Sequence, residues 1–205
     1  ADEKETRERL LESARKEFAE KGFMKASLRN ICKNAGVTTG ALYFFFKDKD
    51  ELFRSIVEEP LHRVQDVMQQ HYNFEKCALE KGQSHQHNED EDASLQVIHL
   101  LYQYREDVLI LLTRSQGSSL ENIQDQFVDI SEQHYRSIMY MAQPEEAQKV
   151  ADSVYHWVAQ MEIETFIYII THIEKEEDAL VHMKYSLRYM ISGWHGLFLM
   201  QNEEL

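Results

Sequence analysis

The chain has 205 residues, of which 43% are hydrophobic, with only seven glycines and two prolines. This composition excludes a disordered chain and favours helices, since apolar residues suffice for a core and few residues break a helix. No run of about 18 consecutive apolar residues occurs, which argues against a membrane protein, and two cysteines cannot form a disulfide framework. Together these features predict a cytoplasmic, all-α protein.

The formal net charge of −14 is unevenly distributed along the chain. Residues 21–54 carry seven Lys or Arg against three Asp or Glu, whereas residues 55–205 carry 10 against 26. A surface that binds nucleic acid must be locally basic, because neutralised phosphates release their counterions. The uneven charge therefore allows a nucleic-acid-binding segment that is followed by an acidic body.

The first predicted helix covers residues 6–21, with Thr6 as its candidate N-cap. Apolar residues recur along it at four-residue spacing: Leu10, Ala14 and Phe18. Gly22 is expected to end the helix, because glycine readily adopts the left-handed conformation. Phe23 is then expected to fold back as an apolar plug.

Two short helices are predicted next. Ser27 would cap a helix over residues 28–34, and Thr38 would cap one over residues 39–45. Gly36 supplies a tight turn between them. This outline is typical of a helix-turn-helix, in which the second helix lies in the major groove of DNA.

Longer helices follow in the remainder of the chain. Asp48 is expected to cap a fourth helix, with Glu51 at capping-box spacing. The later helices are predicted over residues 60–80, 93–104, 107–116, 120–142, 145–172 and 176–200. The acidic segment 81–92 has no apolar pattern and is predicted to be an exposed loop.

Residues 6–53 (TRERLLESARKEFAEKGFMKASLRNICKNAGVTTGALYFFFKDKDELF) resemble the DNA-binding domain of the TetR family of bacterial regulators. The resemblance rests on several features in the family's order: FAEKGF, the AGV turn, GALYFFF and KDKDELF. It implies that residues 1–53 form a three-helix helix-turn-helix domain. It also implies that residues 54–205 form a larger helical domain for effector binding and dimerisation.

The same resemblance implies a set of DNA contacts. Ser27 and Thr38 would meet phosphates at helix N-termini, and Thr39 would touch a base edge. Gly40 and Ala41 would let the recognition helix approach the groove. The predicted DNA-binding residues are Ser27, Arg29, Thr38, Thr39, Gly40, Ala41, Tyr43, Phe44 and Lys49.

The aromatic run of the third helix departs from the family pattern. Tyr43 and Lys49 could still hold phosphates, as the matching family residues do. The family often has a polar aromatic residue at the positions of Phe44 and Phe45, and phenylalanine cannot bind phosphate in that way. One of this pair is expected to pack inward beside Phe46, while the other lies near the DNA backbone.

An effector pocket is predicted from a mixture of aromatic, sulfur and polar residues in the second domain: His99, Tyr102, Trp157, Met161, Glu162 and Phe166. Glu162 interrupts an otherwise apolar stretch. If it is buried it needs a partner, which a cationic effector could provide. The alternative is that Glu162 faces solvent or pairs with a neighbouring basic residue of the protein.

The helices predicted over residues 145–172 and 176–200 are apolar on more than one face, which predicts a homodimer. The expected function is a repressor released from a palindromic DNA operator by a small-molecule effector. A helical-bundle metal-binding protein or enzyme without DNA binding is the alternative, and a protein-interaction module is a third. No catalytic motif, cofactor or metal site is expected, since His85 and His87 beside an acidic run, or the spacing of Glu59 and His62, give no complete ligand set.

Overall fold

The computed structural model describes residues 2–82 and 87–199, and within these ranges the regular structure is entirely helical. The helices are α1 (Glu3–Lys25), α2 (Leu28–Ala35), α3 (Thr39–Phe45), α4 (Lys49–Glu80), α5 (His87–Gln103), α6 (Arg105–Arg114), α7 (Ile123–Ala142), α8 (Pro144–Ala147), α9 (Asp152–His172) and α10 (Glu176–Leu199). None of the helices in the described ranges is long and apolar enough to span a bilayer.

The chain forms two compact units. The first contains the chain up to Arg63 together with Tyr104–Ile123, and the second contains Val64–Gln103 and the chain from Gln124 onward. Compactness therefore assigns α6 to the unit that holds the helix-turn-helix. The domain boundary expected after residue 53 stays a prediction.

The N-cap of α1 lies four residues before the predicted one. Asp2 caps the helix, since its carboxylate accepts a hydrogen bond from Lys4 N at 3.4 Å, and Glu3 and Glu5 lie in the first turn. Acidic side chains are favourable there because of the helix dipole, so the predicted cap at Thr6 was wrong. Gly22 interrupts the helix with a positive φ of 72°, as expected.

The predicted plug at Phe23 is confirmed. Phe23 is 7% exposed and packs on Phe18 and Phe53 at ring-centroid distances of 6.0 and 5.3 Å. These three aromatic side chains form part of the core of the first unit. The end of α1 is thereby joined to the start of α4, on either side of the helix-turn-helix.

The turn between α2 and α3 is a left-handed glycine cap, as predicted. Gly36 has φ 67° and ψ 34°, and Val37 N donates to Cys32 O at 3.0 Å. These bonds satisfy carbonyls at the end of α2 that the helix itself leaves open. The predicted cap at Asp48 is confirmed, since Glu51 N donates to Asp48 Oδ1 at 2.9 Å. The Glu51 carboxylate accepts from Lys47 N at 2.6 Å, one residue before the N-cap N–H that a capping box uses.

Pro60 does not begin a helix but lies inside α4, which runs through 32 residues. A proline removes one helical hydrogen bond, yet burial on both sides of it can outweigh that loss. Val57, Pro60 and Leu61 are all buried, so packing carries the helix through this position. The predicted break at residue 60 was therefore wrong.

Two further predicted boundaries differ from the structure. The α5 helix begins at His87 rather than residue 93, with Glu89 and Asp90 in its acidic first turn. The helix predicted over residues 145–172 is interrupted between α8 and α9. There the Tyr155 hydroxyl donates to Ala147 O at 3.3 Å, and both residues share a buried cluster with Met139.

Candidate DNA-binding surface and effector site

Two hydroxyl caps lie at the N-termini of the helix-turn-helix. Ser27 Oγ accepts a hydrogen bond from Asn30 N at 3.4 Å, and Thr38 Oγ1 accepts one from Ala41 N at 3.2 Å. The capping role predicted for both residues is confirmed. A hydroxyl that accepts in this way keeps its own proton for donation.

The α3 helix has one buried and one exposed face. Leu42 is completely buried, and Phe46 directly after the helix is 1% exposed. Tyr43 is 54% and Phe44 is 70% exposed, an unusual exposure for large aromatic side chains. Thr39 and Gly40 are exposed as well, whereas Ala41 is half-buried.

Phe44 and Phe45 differ in burial, and the inward packing expected for one of them beside Phe46 is confirmed for Phe45, while a position of Phe44 near DNA stays a prediction. Phe45 is half-buried and lies with its ring centroid 6.3 Å from that of Phe46. Phe44 contacts Phe45 edge to face at 5.0 Å and otherwise faces outward. One phenylalanine thus anchors α3 while the other is available to a partner.

Thr39 is tied to the preceding helix through Cys32. Burial raises the pKa of the Cys32 thiol, while a hydrogen bond with the Thr39 side chain opposes that rise. Cys32 is 3% exposed and serves as a core residue of the first unit. The contact fixes the side chain of Thr39 at the start of α3.

Exposed basic residues surround this surface. Lys25, Arg29, Lys33 and Lys47 are all exposed, and none of them forms an ion pair with another described residue. Their charges are available to phosphates, which supply the sequence-independent part of DNA affinity. Arg29 is the one of these four that belongs to the DNA-binding residues predicted from the sequence.

Lys49 has a different environment from the one its predicted role suggests. Its ammonium donates to Phe23 O, Met24 O and Ala26 O at 2.7, 3.3 and 3.4 Å and lies 4.5 Å from the Phe23 ring centroid. These carbonyls end α1, so Lys49 closes that helix from the start of α4. A phosphate contact by Lys49 stays a prediction.

Glu17 positions α2 and was missed from the sequence. Its carboxylate accepts bonds from Ser27 N at 3.0 Å, Lys21 Nζ at 2.8 Å and Asn30 Nδ2 at 3.5 Å. Burial would raise the pKa of Glu17, but these hydrogen bonds outweigh it and lower the pKa. Its position in the helical repeat could have identified it, since Glu17 lies three residues after Ala14 on the inward face of α1.

The predicted effector residues have varied surroundings within the second unit. His99 is exposed and contacts the Glu176 carboxylate, and the Tyr102 hydroxyl donates to Ile173 O at 2.7 Å. Trp157 is 52% exposed, which does not suit the wall of an enclosed pocket. Met161 and Phe166 are half-buried, and the effector role of this set stays a prediction.

Glu162 belongs to a group of titratable residues inside the second unit. Its Oε2 atom is screened from solvent and lacks a hydrogen-bond partner among the described residues. Burial raises the pKa of Glu162, while hydrogen bonds with Ser131 and Tyr135 and the nearby charges of His134 and His71 oppose the rise. A solvent-facing Glu162 does not fit this burial, whereas the other alternative, a pairing with a neighbouring basic residue, fits the nearby charges of His71 and His134.

The other members come from three helices. His71 Nε2 on α4 lies 3.2 Å from Asp90 Oδ1 on α5 and 3.6 Å from Glu75 Oε2 on α4. The Glu75 carboxylate also contacts His134 Nε2 on α7. We call His71, Glu75, Asp90, His134 and Glu162 the polar cluster.

Carboxylates of the polar cluster favour the charged form of His71. Burial lowers the pKa of His71, but the Asp90 hydrogen bond and the charges of Glu75, Asp90 and Glu162 outweigh it and raise the pKa. No metal site was predicted from the sequence, and Glu162 was the one member of the polar cluster that was singled out there. Asp90 lies in the segment that was predicted as a loop. His71 and Glu75 are spaced i and i+4, but no sequence pattern linked them to Asp90 or His134.

Sequence comparison places the N-terminal region among known regulators. The sequence profile described as bacterial regulatory proteins, tetR family, matches residues 10–56. The transcriptional repressor BepR of Brucella suis is 39% identical over 75 residues, which are 37% of this chain and 36% of BepR. The regulator AcrR of Shigella flexneri is 48% identical over 54 residues, covering 26% of this chain and 25% of AcrR. The alignments thus span only about a quarter to a third of these relatives.

Structural comparison extends over nearly the whole chain. A transcriptional regulator from Aquifex aeolicus matches with a TM-score of 0.60 at 21% identity, covering 90% of this chain and 99% of that one. NalD of Pseudomonas aeruginosa, described as the secondary repressor of the MexAB-OprM multidrug efflux pump, matches with a TM-score of 0.60 at 18% identity, with coverage of 92% and 98%. At these identities the similarity establishes the all-α fold.

Proposed function

Since the chain belongs to the TetR family of bacterial regulatory proteins, we propose that it is a DNA-binding transcriptional regulator and not an enzyme. The observation that carries this proposal is the exposed face of α3, where Thr39, Gly40, Tyr43 and Phe44 project beside two capped helix N-termini. A short helix with such a face fits the major groove. Acting on the chromosome, the regulator would work in the bacterial cytoplasm.

The proposed contacts fall into two classes. Thr39 is the candidate base contact, with Gly40 and Ala41 allowing close approach of the helix backbone. Positioning contacts to phosphate would come from Arg29, the hydroxyls of Ser27 and Thr38, and the Tyr43 hydroxyl. We add the exposed Lys25, Lys33 and Lys47 to this second class, because their ammonium groups lack protein partners among the described residues.

We propose that the chain acts as a homodimer through α9 and α10. Val181, Tyr185 and Tyr189 on α10 are 56%, 68% and 75% exposed and recur every four residues, so they lie on one helix face. On α9, Trp157 and Tyr168 are 52% and 49% exposed. An isologous contact between two such faces would cover these exposed hydrophobic side chains and present two α3 helices to a palindromic operator.

We further propose that the regulator is a repressor whose affinity for DNA changes when an effector binds the second unit. BepR and NalD are described as repressors, which supports this sign of regulation for a similar chain. An effector can act only through different affinities for the DNA-competent and incompetent states. A bundle that binds metal without binding DNA, or a protein-interaction module, would lack any affinity for duplex DNA.

The direct test is selection of bound duplexes from a random pool with the full chain, followed by fluorescence anisotropy on the selected site. We expect a palindromic site, a dimer in light scattering, and affinity that falls steeply with salt. Six to ten phosphate contacts would lower affinity by about 10³ to 10⁵ between about 50 and 200 mM salt. A monomer, or a chain that ignores duplex at low salt, contradicts the proposal.

Variants separate the two classes of contact. Arg29→Ala should weaken binding to all sequences and reduce the salt slope by about one. Lys76→Ala removes the same charge from an exposed position outside the helix-turn-helix and is the matched control. Thr39→Ala should alter the selected half-site more than it alters non-specific binding, and an equal loss in both would remove Thr39 from base recognition.

A further inference from the structure

We propose that the polar cluster binds one divalent transition metal ion, held by His71, Glu75 and Asp90 with Glu162 and His134 beside them. The inference deepens the proposed function, and rests on it in one respect, because the ion would be the effector that the second unit senses. Binding of the ion itself does not depend on DNA recognition, so the two can be tested separately.

The distances among the candidate ligand atoms suit a metal ion. One ligand atom from each of His71, Glu75 and Asp90 lies within 4.8 Å of the other two. Two of the separations, 3.2 and 3.6 Å from His71 Nε2, bracket the distance of about 3.4 Å between tetrahedral ligands at bonds of about 2.1 Å. Little rearrangement is therefore needed to close these three groups around an ion.

The polar cluster also gathers three carboxylates, from Glu75, Asp90 and Glu162, beside two imidazoles. Carboxylates that are withdrawn from water are stabilised by a nearby cation. Imidazole nitrogens and carboxylate oxygens can both act as ligands of such an ion.

Glu162 supplies an observation that is separate from the ligand distances. Glu162 Oε2 is screened from solvent and accepts no hydrogen bond among the described residues, although Ser131 and Tyr135 hold the same carboxylate. A buried carboxylate oxygen without a partner costs free energy comparable to a lost charged hydrogen bond. The charges of His71 and His134 act on this carboxylate, so a cation bound in the polar cluster would stabilise it.

The donor atoms select the class of ion. Imidazole nitrogens with carboxylate oxygens suit Zn²⁺, Mn²⁺, Fe²⁺ and Ni²⁺, whereas Mg²⁺ and Ca²⁺ prefer oxygen alone. An organic ammonium fits less well. It needs acceptors about 2.8 Å from its nitrogen, and hence about 4.6 Å apart, which is wider than the two separations at His71.

The test is calorimetric titration of the chelator-treated full chain with ZnCl₂ and with MnCl₂. We expect one ion per chain and a higher thermal midpoint when the ion is present. Glu162→Gln keeps the side-chain shape and should weaken binding at least about tenfold, as should His71→Asn. His172→Asn is the matched control, because His172 is an exposed histidine of the same unit outside the polar cluster.

Circular dichroism of each variant without metal checks that the fold is retained. If neither ion binds, or if folded Glu162→Gln and His71→Asn bind as tightly as the original chain, the proposed site is overturned. Weaker binding in these two variants with unchanged binding in His172→Asn supports it.

Anisotropy on the selected DNA site, with and without the ion, separates the two proposals. A change in DNA affinity that Glu162→Gln abolishes supports the ion as effector. DNA binding without metal binding overturns the site and leaves the regulator intact. Metal binding without DNA binding supports the site and contradicts the proposed function, and two intact activities without coupling overturn the effector role alone.

Discussion

Arg15 of α1 holds Asp107 of α6 through two parallel hydrogen bonds, from Nε to Oδ1 at 2.8 Å and from Nη2 to Oδ2 at 3.2 Å. The two residues are 92 positions apart in the chain but belong to the same compact unit. The Asp107 side chain is only 11% exposed, and the forked geometry of arginine suits such a carboxylate. This pair links α6 to α1 within the first unit.

Arg15→Ala should lower the free energy of unfolding by about 1–3 kcal/mol, because it leaves the buried Asp107 carboxylate without its charged donor. Urea unfolding of Arg15→Ala, Asp107→Ala and the double variant measures the coupling between the two side chains. We expect a coupling of about 1 kcal/mol or more. Additive single effects would show that the pair does not stabilise the unit.

Glu17 should make stability depend on pH. Its pKa in the folded state is lowered by the bonds from Lys21, Ser27 N and Asn30, so its contribution is complete above the ordinary value of 4.5. The contribution is lost as the pH falls through the lower, folded pKa. Glu17→Gln should therefore reduce the free energy of unfolding at neutral pH by about 1–3 kcal/mol.

The measurement compares urea unfolding of the original chain and Glu17→Gln from neutral pH downward. The difference between them should shrink once the pH passes below the ordinary glutamate pKa. The exposed Glu20, one turn away on the same helix, provides Glu20→Gln as a control with no such pH dependence. A constant difference across the range would rule out the charge of Glu17 as the cause.

Lys49→Ala distinguishes a helix-closing residue from a phosphate contact. Loss of the bonds to Phe23 O, Met24 O and Ala26 O should lower the thermal midpoint, since three carbonyls lose a charged donor. If Lys49 also contacts phosphate, the salt slope of DNA binding should fall by about one. A lower midpoint with an unchanged slope assigns Lys49 to closing α1 alone, and Lys76→Ala is the control for an exposed charge outside the DNA-binding surface.

Gly117→Ala should destabilise the first unit. Gly117 has φ +86°, which other residues rarely adopt, and an added Cβ would lie 2.7 Å from Met24 Cγ. We expect a loss of about 2 kcal/mol or more from strain and overlap together. Gly82→Ala is the control, since its φ of +67° is also unfavourable but no atom of the described residues lies within 4 Å of the added Cβ. Equal losses in the two variants would contradict the clash with Met24.

The parts of the fold that follow from local signals were predictable. The α3 helix has the expected bounds because its cap, Thr38, and the preceding turn at Gly36 act within a few residues. The helix cap at Asp48 is equally local. By contrast, Pro60 is a strong local signal that tertiary burial overrides, so the break expected there does not occur.

The candidate sites differ in the same way. The DNA-binding surface lies within one short segment, and its exposed and buried faces follow from the helical repeat. The polar cluster takes its members from α4, α5, α7 and α9, and only tertiary packing brings His71 to Asp90. Sequence reasoning reached Glu162 because a charge among apolar neighbours is a local anomaly, but its partners have no local mark.

The hydroxyl caps at Ser27 and Thr38 have a bearing on how this surface could be lost. Aspartate caps a helix as well as serine or threonine does, so a change to aspartate at either position would preserve the fold. An aspartate, however, has only acceptor oxygens and a negative charge, both of which oppose a phosphate. Selection for thermal robustness alone would therefore tolerate chains that fold correctly and repel their target, and only a screen that scores occupancy on DNA would remove them.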